Sequence, residues 1–562
     1  MLNKTIFISF LLGQMAFSQQ FDSNNTFNKQ GNLGVTNTNT NQVSTRGTIQ
    51  SNYVVGETID RWGNKLTALP EIGYFNFPGT THVQTWTSDM QNLSNPVTFT
   101  SNATIGALSG YSIIQSGTVS GNFSLFIAGP TRTLGPFNGG GKVIWANNSN
   151  SAGAGTIDAG ATLQMGISPS TAIGQTANAF TIEGTLNLFG AYTASTNVVG
   201  AGNTLGANAI VNIEGPNVNG QGIMNFASNS QAGTAIINSK EAYTVYPSTS
   251  MAATWNINDG ASIFIQNGSY TGNVKLNSCT GGWIDGAGME YPNMLSGPNG
   301  KVFVGPCGGS MGTISTTASF VSSSILTGSG DLRIGRVGNT GSMILQGDAT
   351  NYTGTMTIYS GQVQPTEPAL KAAKIRLADP ASLLPSGASG SFVTVKSVQS
   401  VSPSDTTARL FISLVGLTIT NQDPEPFYGT FASASNNSIF IQNGNFQIAS
   451  TTGGATQTTL YIQNSARVGG YGANAKYGGP LTIQTVNGGL SLKNNPSTLI
   501  VTTFTAPSGF KVDIDAAFTA GTYTLLNTTS HTGNPIPLVG SNITGLTPSF
   551  AWVGNDLVMT LL

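Results

Sequence analysis

Residues 326–364 read LTGSGDLRIGRVGNTGSMILQGDATNYTGTMTIYSGQVQ, and no other stretch says more about the architecture of the chain. Apolar and polar residues alternate in short runs, the pattern of half-buried β-strands. Glycines end the runs, residues 351–354 (NYTG) predict a tight turn, and residues 355–358 (TMTI) predict the start of the next strand. The stretch therefore predicts an all-β repeat architecture.

Two further stretches follow the same scheme, residues 156–166 (TIDAGATLQMG) and, more loosely, residues 256–268 (NINDGASIFIQNG). Together these motifs resemble the autotransporter-associated β-strand repeat, a unit of the parallel β-helical passenger regions of secreted bacterial surface proteins. Residues 518–527 and 550–562 resemble the closing strands of such proteins. The resemblance implies an all-β fold, a right-handed parallel β-helix (β-solenoid), on an extracellular protein.

One feature departs from that family. Typical autotransporters continue into a C-terminal outer-membrane barrel of many alternating strands, whereas this sequence ends at Leu562. We therefore expect a passenger-like β-helix that lacks the barrel, and either leaves the cell by another route or remains periplasmic.

The composition excludes several classes of protein. The 562 residues include 72 glycines, and only 8% are charged, which does not suit an ordinary helical enzyme. A disordered chain would have high net charge and few apolar residues, whereas here 39% of the residues are hydrophobic and the net charge is −1. Near-zero charge also argues against nucleic acid as a partner, because phosphate contacts need clustered Lys and Arg.

The first residues predict a signal peptide over residues 1–18. Lys4 supplies the positive charge, residues 6–12 (IFISFLL) form a short apolar segment, and residues 16–18 (AFS) offer small residues for cleavage. No later stretch approaches the roughly 20 apolar residues of a membrane-spanning helix, so no transmembrane span is predicted. The next most apolar stretch, residues 410–419, predicts a buried strand.

The strand–turn rhythm divides the rest of the chain. Residues 19–95 predict a polar segment and an N-terminal cap, and residues 96–366 predict a β-solenoid of roughly 25 residues per turn. Residues 367–390 predict a short helix or irregular excursion, because they begin EPALKAAKIR, and residues 391–562 predict further solenoid strands. Inward apolar residues would stack along the axis, and outward Thr, Ser and Asn would form ladders.

Cys279 and Cys307 are the two cysteines of the chain, about one turn apart. In an oxidising, exported setting they are expected to form a disulfide, and two buried thiols are the alternative. A catalytic thiol is not predicted, because neither His82 nor His531 lies near them in sequence.

Carboxylates one turn apart raise the alternative of a polysaccharide lyase or hydrolase, a reaction that commonly uses two acids. Asp259 and Asp285 fit that spacing, with Glu290 nearby and Trp283 as a platform for a sugar. Both aspartates also precede glycine, which is a common turn position. The turn interpretation is favoured, and no catalytic residue is predicted.

Asp513 and Asp515 alternate in residues 511–515 (KVDID) and therefore share one face of a strand. They suit either a calcium ion, which prefers several oxygen ligands, or a solvated outer face beside Lys511. The second interpretation is favoured, and no His/Cys cluster suits zinc. No metal or cofactor is predicted.

Taken together, the sequence favours a non-catalytic secreted or cell-surface β-solenoid protein, adhesin-like or structural. Its expected partners are extracellular polysaccharide or other surface proteins. A polysaccharide lyase or hydrolase on a β-helix is one alternative. A self-assembling extracellular filament subunit, formed through exposed solenoid ends, is the other.

Overall fold

The computed structural model describes most of residues 103–562 and the backbone of three earlier strands; its longer gaps are residues 169–174, 192–196, 215–221, 278–287, 291–299, 313–318 and 336–341. Every regular element in the described part is a β-strand, and none is a helix. The chain divides into two compact units, Met1–Asn273 (unit 1) and Val274–Leu562 (unit 2). Within each unit most strands pair in parallel with strands one turn earlier and later, which confirms the predicted parallel β-solenoid.

Unit 1 is built from parallel sheets, and each successive turn of the chain adds strands to them. Sheet A comprises Gln91–Leu93, Ser112–Gln115, Lys142–Trp145, Thr162–Met165, Thr185–Leu188, Ile210–Ile213, Ile236–Ser239 and Thr254–Ile257. Sheet B comprises Ala103–Ile105, Leu125–Ile127, Gly155–Ile157, Phe180–Ile182, Asn197–Leu205, Gly222–Gln231, Tyr243–Pro247 and Ser262–Ile265. Sheet C comprises Tyr53–Val55, Val97–Phe99, Val119–Gly121, Ser149–Ala152 and Gln175–Thr176. Two small pairs complete the unit, Ser250–Met251 with Ser269–Tyr270 and the antiparallel Thr133–Leu134 with Phe137–Asn138.

The interior of unit 1 explains why these short strands stack. Alternate residues of each sheet A strand point inward, and the register places equivalent residues of successive turns side by side. One such column has no solvent exposure: Val143, Leu163, Leu186, Val211, Ile237 and Trp255. Burying each of these side chains contributes about 1.5–3 kcal/mol or more, depending on its size. The strands are therefore held by their neighbours along the solenoid axis.

The outer side of sheet A carries a ladder of asparagines, which we call the asparagine column: Asn187, Asn212, Asn238 and Asn256. Nδ2 of Asn212 donates to Oδ1 of Asn187 at 2.8 Å, and Nδ2 of Asn238 donates to Oδ1 of Asn212 at 2.8 Å. Asn256 extends this series of hydrogen bonds, because its Nδ2 donates to Oδ1 of Asn238 at 2.7 Å. The predicted outward polar ladder is confirmed at these four positions.

Unit 2 continues the same construction with five sheets. Sheet D comprises Val274–Leu276, Lys301–Val304 and Ile325–Gly328. Sheet E comprises Gly288–Glu290, Gly309–Gly312, Leu332–Ile334, Thr355–Ile358, Lys374–Leu377 and Ser397–Ser400, and sheet F comprises Ser319–Ser322, Ser342–Leu345, Gln362–Pro365, Ser382–Leu383, Arg409–Ile412 and Thr430–Ser433. Sheet G comprises Phe392–Val395, Gly416–Ile419, Ser438–Ile441, Thr459–Ile462, Leu481–Ile483, Leu499–Thr505, Gly521–His531, Pro548–Val553 and Asp556–Leu561. Sheet H comprises Asn445–Ile448, Arg467–Tyr471, Gly489–Leu492, Lys511–Ile514, Leu538–Ser541 and the short Pro496–Ser497.

The turn predicted at residues 351–354 forms two residues earlier, at residues 349–352, where the N–H of Tyr352 donates to the carbonyl of Ala349 at 3.0 Å. The side chain of Tyr352 is buried and holds this turn in place. The hydroxyl of Tyr352, which has no solvent exposure, donates to the carbonyl of Gly330 at 2.9 Å and accepts from the N–H of Leu332 at 3.1 Å. Burial raises the pKa of Tyr352 well above its ordinary value. The turn is therefore anchored to the preceding turn of the solenoid.

The helix considered for residues 367–390 is wrong, because the described residues there continue the solenoid. Lys374–Leu377 pairs in parallel with Thr355–Ile358 and with Ser397–Ser400. Ile375 and Leu377 fill the interior with no exposure, so tertiary packing overrides the local helical preference. Residues 410–419, predicted as one buried strand, instead form parts of two strands separated by Leu414, which is 58% exposed.

Sheet G finishes in an antiparallel arrangement. Gly521–His531 pairs antiparallel with Asp556–Leu561, which pairs antiparallel with Pro548–Val553. The two segments that resemble closing strands therefore do form the last strands of this sheet. The signal peptide predicted for residues 1–18 lies outside the described residues, as does the cap predicted within residues 19–95 apart from two strand backbones.

Candidate functional site

Cys307 lies in an exposed turn after Lys301–Val304 and is disulfide-bonded. Its backbone N–H donates to Oδ1 of Asn277 at 3.3 Å, which ties this turn to the one before it. Cys279, the other cysteine of the sequence, lies outside the described residues. The Cys279–Cys307 pairing stays a prediction that peptide mass spectrometry under non-reducing conditions tests.

The carboxylates of the enzyme alternative, Asp259 and Asp285, lie outside the described residues, as do Trp283 and the side chain of Glu290. Other aspartates in the described part serve the fold. Asp379 accepts from the backbone N–H of Ala408 at 2.6 Å and of Thr407 at 2.8 Å. Such a carboxylate stabilises a turn and is poorly placed to act as an acid or nucleophile.

Asp158 has a similar structural role. Its carboxylate receives two hydrogen bonds from Arg132, one of them from Nη2 at 2.9 Å, and the Arg132 guanidinium lies 4.3 Å from the centre of the Phe126 ring. The hydrogen bonds that Arg132 donates to Asp158 raise the pKa of Arg132 above its ordinary value. The pair fastens the loop after Leu125–Ile127 to the next turn.

Asp513 forms an ion pair with Arg467. Its carboxylate lies 3.0 Å from Nε and 3.3 Å from Nη2 of Arg467, two turns earlier in sheet H. Both groups are mostly shielded, with side-chain exposures of 17% for Asp513 and 14% for Arg467. In the described part of the chain, no group of three or more His, Cys, Asp or Glu side chains is arranged to hold a metal.

A cavity of about 290 Å³ lies in unit 2 beside Gly521–His531. Its apolar part is formed by Leu492, Phe518 and Leu525, which are nearly fully buried. The remaining lining residues carry hydroxyl groups: Ser497, Thr498, Thr522, Tyr523 and Thr524. The lining residues include no carboxylate, histidine or cysteine that could activate these hydroxyl groups as nucleophiles.

The outer side of sheet G carries the most distinctive exposed chemistry of the described residues. Outward aromatic residues lie on three of the four turns from Phe392 to Tyr461, and outward glutamines lie on three successive turns from Gln442 to Gln484. Each glutamine follows a buried isoleucine. We call this set the aromatic–glutamine surface: Phe392, Phe440, Tyr461, Gln442, Gln463 and Gln484.

The rings of this surface form a continuous strip. Phe392 and Phe440 have centroids 5.2 Å apart and tilted planes, and Phe440 and Tyr461 are stacked at 4.9 Å with planes 17° apart. Gly416 lies beneath the Phe392 ring, where a Cβ atom would clash with it. The strip crosses four successive turns, a length of about 14 Å at the usual spacing of strands.

The glutamines form a row beside the rings. Gln442, Gln463 and Gln484 each directly follow a buried isoleucine at equivalent ends of three successive strands, and Nε2 of Gln463 donates to Oε1 of Gln484 at 2.8 Å. Each primary amide has two N–H donors and an oxygen that accepts two hydrogen bonds. The Gln463–Gln484 bond uses only one donor and one acceptor site, so both amides retain capacity for a ligand.

Tyr461 ends the aromatic strip. One face of its ring stacks on Phe440, and the next residue in the same outward column is Thr482, followed by Thr505. Because threonine is much shorter than an aromatic ring, the second face of Tyr461 stands above Thr482. We call the resulting step the Tyr461 shelf: Tyr461, Thr482, Gln463 and Gln484.

Sequence reasoning missed this surface, although two signals pointed to it. The dipeptide Ile-Gln recurs at residues 441–442, 462–463 and 483–484, and the equivalent residues Gln463 and Gln484 lie 21 positions apart. The heptapeptide SIFIQNG also occurs twice, at residues 262–268 and 438–444. In the first copy, only the backbone of Ser262–Ile265 is described.

No protein-family model matches the sequence, and no curated protein matches it. The resemblance to the autotransporter-associated repeat therefore stays a prediction that rests on the quoted motifs. The described part of the chain has no helix long and apolar enough to cross a membrane.

Proposed function

We propose that this protein is a non-catalytic, secreted or cell-surface β-solenoid that acts as an adhesin, holding an extracellular partner on its outer faces. The observation that carries the proposal is the aromatic–glutamine surface, where half-exposed rings and amides line a flat, regular strand face. Exposed aromatic side chains on a rigid scaffold supply contact area at low entropic cost. Adhesion needs such a surface and needs no reacting group.

Sequence features support the extracellular setting. Residues 1–18 have the composition of a signal peptide, and the repeat motifs resemble those of exported passenger regions. The disulfide at Cys307 is in keeping with an oxidising compartment.

The non-catalytic part of the proposal is supported by the partners of three aspartates in the described part of the chain. Asp158 and Asp513 are paired with arginines, and Asp379 accepts backbone N–H groups. A lyase or hydrolase is the competing function, and its candidate residues are Asp259 and Asp285.

The test uses the full chain from residue 19 and a panel of polysaccharides. Co-sedimentation or retention by a polysaccharide, without new sugar ends or unsaturated products, is the expected result. Products that disappear in Asp259→Ala or Asp285→Ala would make the protein an enzyme. Absence of binding to both the polysaccharides and intact cell surfaces would contradict the adhesin proposal.

A second candidate function, assembly into filaments, is favoured by the last strands of sheet G. Pro548–Val553 pairs with Asp556–Leu561 along one edge, and Val553 is 63% exposed. Exposed edge strands can add strands from another chain. Concentration-dependent growth of rods in light scattering would favour assembly, and a constant monomer mass would exclude it.

A further inference from the structure

The Tyr461 shelf has the chemistry of a binding subsite for an uncharged, hydroxyl-rich ring. Phe440 covers one ring face of Tyr461 at 4.9 Å, and the column position on the other side of the ring holds the short Thr482. Gln463 and Gln484 offer amide donors and acceptors beside the ring, and their mutual hydrogen bond of 2.8 Å fixes their positions. Thr482 adds a half-exposed hydroxyl at the base of the step.

The shelf is also held rigid, which lowers the cost of ordering it around a ligand. Tyr461 sits between buried Leu460 and Ile462, both with no exposure, and its strand pairs with a parallel neighbour on each side. The ring is backed by Phe440, which is itself backed by Phe392 at 5.2 Å. The aromatic strip therefore fixes the plane against which a ligand would stack.

The charges near the shelf select among ligands. None of its four side chains carries a formal charge, and the nearest cation in the glutamine row is Lys396, three turns before Gln463 and thus about 14 Å away. Arg467 of the adjoining sheet H is engaged by Asp513 at 3.0 Å. An acidic polymer would find no free cation at the shelf, whereas a neutral one needs none.

We propose that the Tyr461 shelf binds one sugar ring of a neutral polysaccharide. The apolar C–H face of the sugar stacks on the face of Tyr461 opposite Phe440, and its hydroxyls exchange hydrogen bonds with Gln463 and Gln484. This inference rests on the adhesin-like function proposed above and names the class of its ligand.

Binding of the full chain to defined oligosaccharides tests the inference. The neutral probes are maltoheptaose, cellohexaose, xylohexaose and chitohexaose, and the acidic probes are oligosaccharides of hyaluronan and polygalacturonate. We expect at least one neutral probe to bind, and Tyr461→Ala to weaken it about tenfold, as loss of an aromatic stack predicts. Tyr461→Phe keeps the ring and should retain binding, whereas Gln463→Ala should weaken it.

Phe303→Ala is the matched control, because Phe303 is an outward aromatic residue of sheet D with 44% exposure. Its affinity should equal that of the wild-type chain. Circular dichroism of each variant confirms that a loss of binding is not a loss of fold.

Three outcomes would overturn the inference: no neutral probe binds, the acidic probes bind more tightly, or Tyr461→Ala binds as well as wild type. Binding to acidic probes or to cell surfaces that is unaffected by Tyr461→Ala would leave the adhesin proposal standing and remove only this subsite. Absence of binding to every probe and to cell surfaces would remove both.

Discussion

The asparagine column of unit 1 and the aromatic–glutamine surface of unit 2 occupy the same kind of position, the outer face of a parallel sheet. In the column, each amide from Asn212 to Asn256 donates to the asparagine one turn before it, at 2.7–2.8 Å. In the surface, Phe440 covers one ring face of Tyr461, and the amides of Gln463 and Gln484 share one hydrogen bond. We call the column closed because its four asparagines are joined by an unbroken series of hydrogen bonds, and the surface open because its amides share only one. A closed ladder stabilises the fold, whereas an open one can hold a ligand.

The largest expected effect concerns the two buried tyrosines, Tyr352 and Tyr477, and the response of stability to alkali. Tyr352 and Tyr477 have no exposure, and burial raises the pKa of both above their ordinary value. Their contribution to stability is complete below pH about 10 and is lost as the pH rises toward the raised values, by up to roughly 1.4 kcal/mol per pH unit for each. Guanidinium denaturation between pH 7 and pH 11 measures this loss.

The control for the pH effect is the double variant Tyr352→Phe with Tyr477→Phe. It should be less stable at pH 7, because Gly330, Leu332 and Thr458 lose hydrogen-bond partners. Its stability should nevertheless fall less steeply above pH 10. A slope equal to that of the wild-type chain would show that these hydroxyls do not control the response to alkali.

The second effect breaks the closed column. Asn212→Ala removes two hydrogen bonds at once, one to Asn187 and one from Asn238. We expect a loss of about 2 kcal/mol in the free energy of unfolding, because two half-buried amide groups lose partners. Denaturant titration measures it, with the exposed turn residue Asn436 mutated to Ala as the control. A change no larger than that of the control would mean that the asparagine column does not stabilise the fold.

The third effect weakens the open surface. Phe440→Ala removes the ring between Phe392 and Tyr461, and should lower stability by about 1 kcal/mol beyond the loss of buried area. It should also weaken binding of a neutral oligosaccharide, because Tyr461 loses its support. Phe411→Ala, at a half-buried outward position of sheet F, should leave binding unchanged. If Phe440→Ala binds the oligosaccharide as well as Phe411→Ala does, the aromatic strip does not contribute to recognition.

The smallest effect on stability is expected for Gln463→Ala, below about 0.5 kcal/mol, as for most surface substitutions. Its one side-chain bond, to Gln484, is exposed to solvent. The informative quantity is the difference between the losses of stability in Gln463→Ala and in Asn212→Ala. The two amides are chemically similar, but Asn212 belongs to the closed column and Gln463 to the open surface. A loss at Gln463 as large as that at Asn212 would remove the distinction between the two ladders.

The solenoid could be predicted because alternation is a local property of the sequence. Thr355–Ile358 forms a strand at the predicted residues, and a turn comes shortly before it. The helical composition before Lys374–Leu377 led to the wrong prediction of a helix. Ile375 and Leu377 instead lie in a strand that pairs with strands one turn earlier and one turn later in the chain.

The candidate site could not be predicted by the same reasoning, because its parts are adjacent only once the register is known. Phe440, Tyr461 and Thr482 come from three different strands, and the register alone places them in one column. The recurring Ile-Gln dipeptides give the spacing of the turns. They do not tell whether the glutamines face solvent or a neighbour, which depends on the loops that cover each face.

Saturation-transfer NMR of the full chain with the neutral oligosaccharides tests the central claim most directly, since one spectrum reports both binding and cleavage. The account predicts transfer of saturation to the protons of at least one neutral sugar, an unchanged set of anomeric signals over time, and loss of transfer in Tyr461→Ala. New anomeric or unsaturated signals, or transfer that persists in Tyr461→Ala, would contradict it.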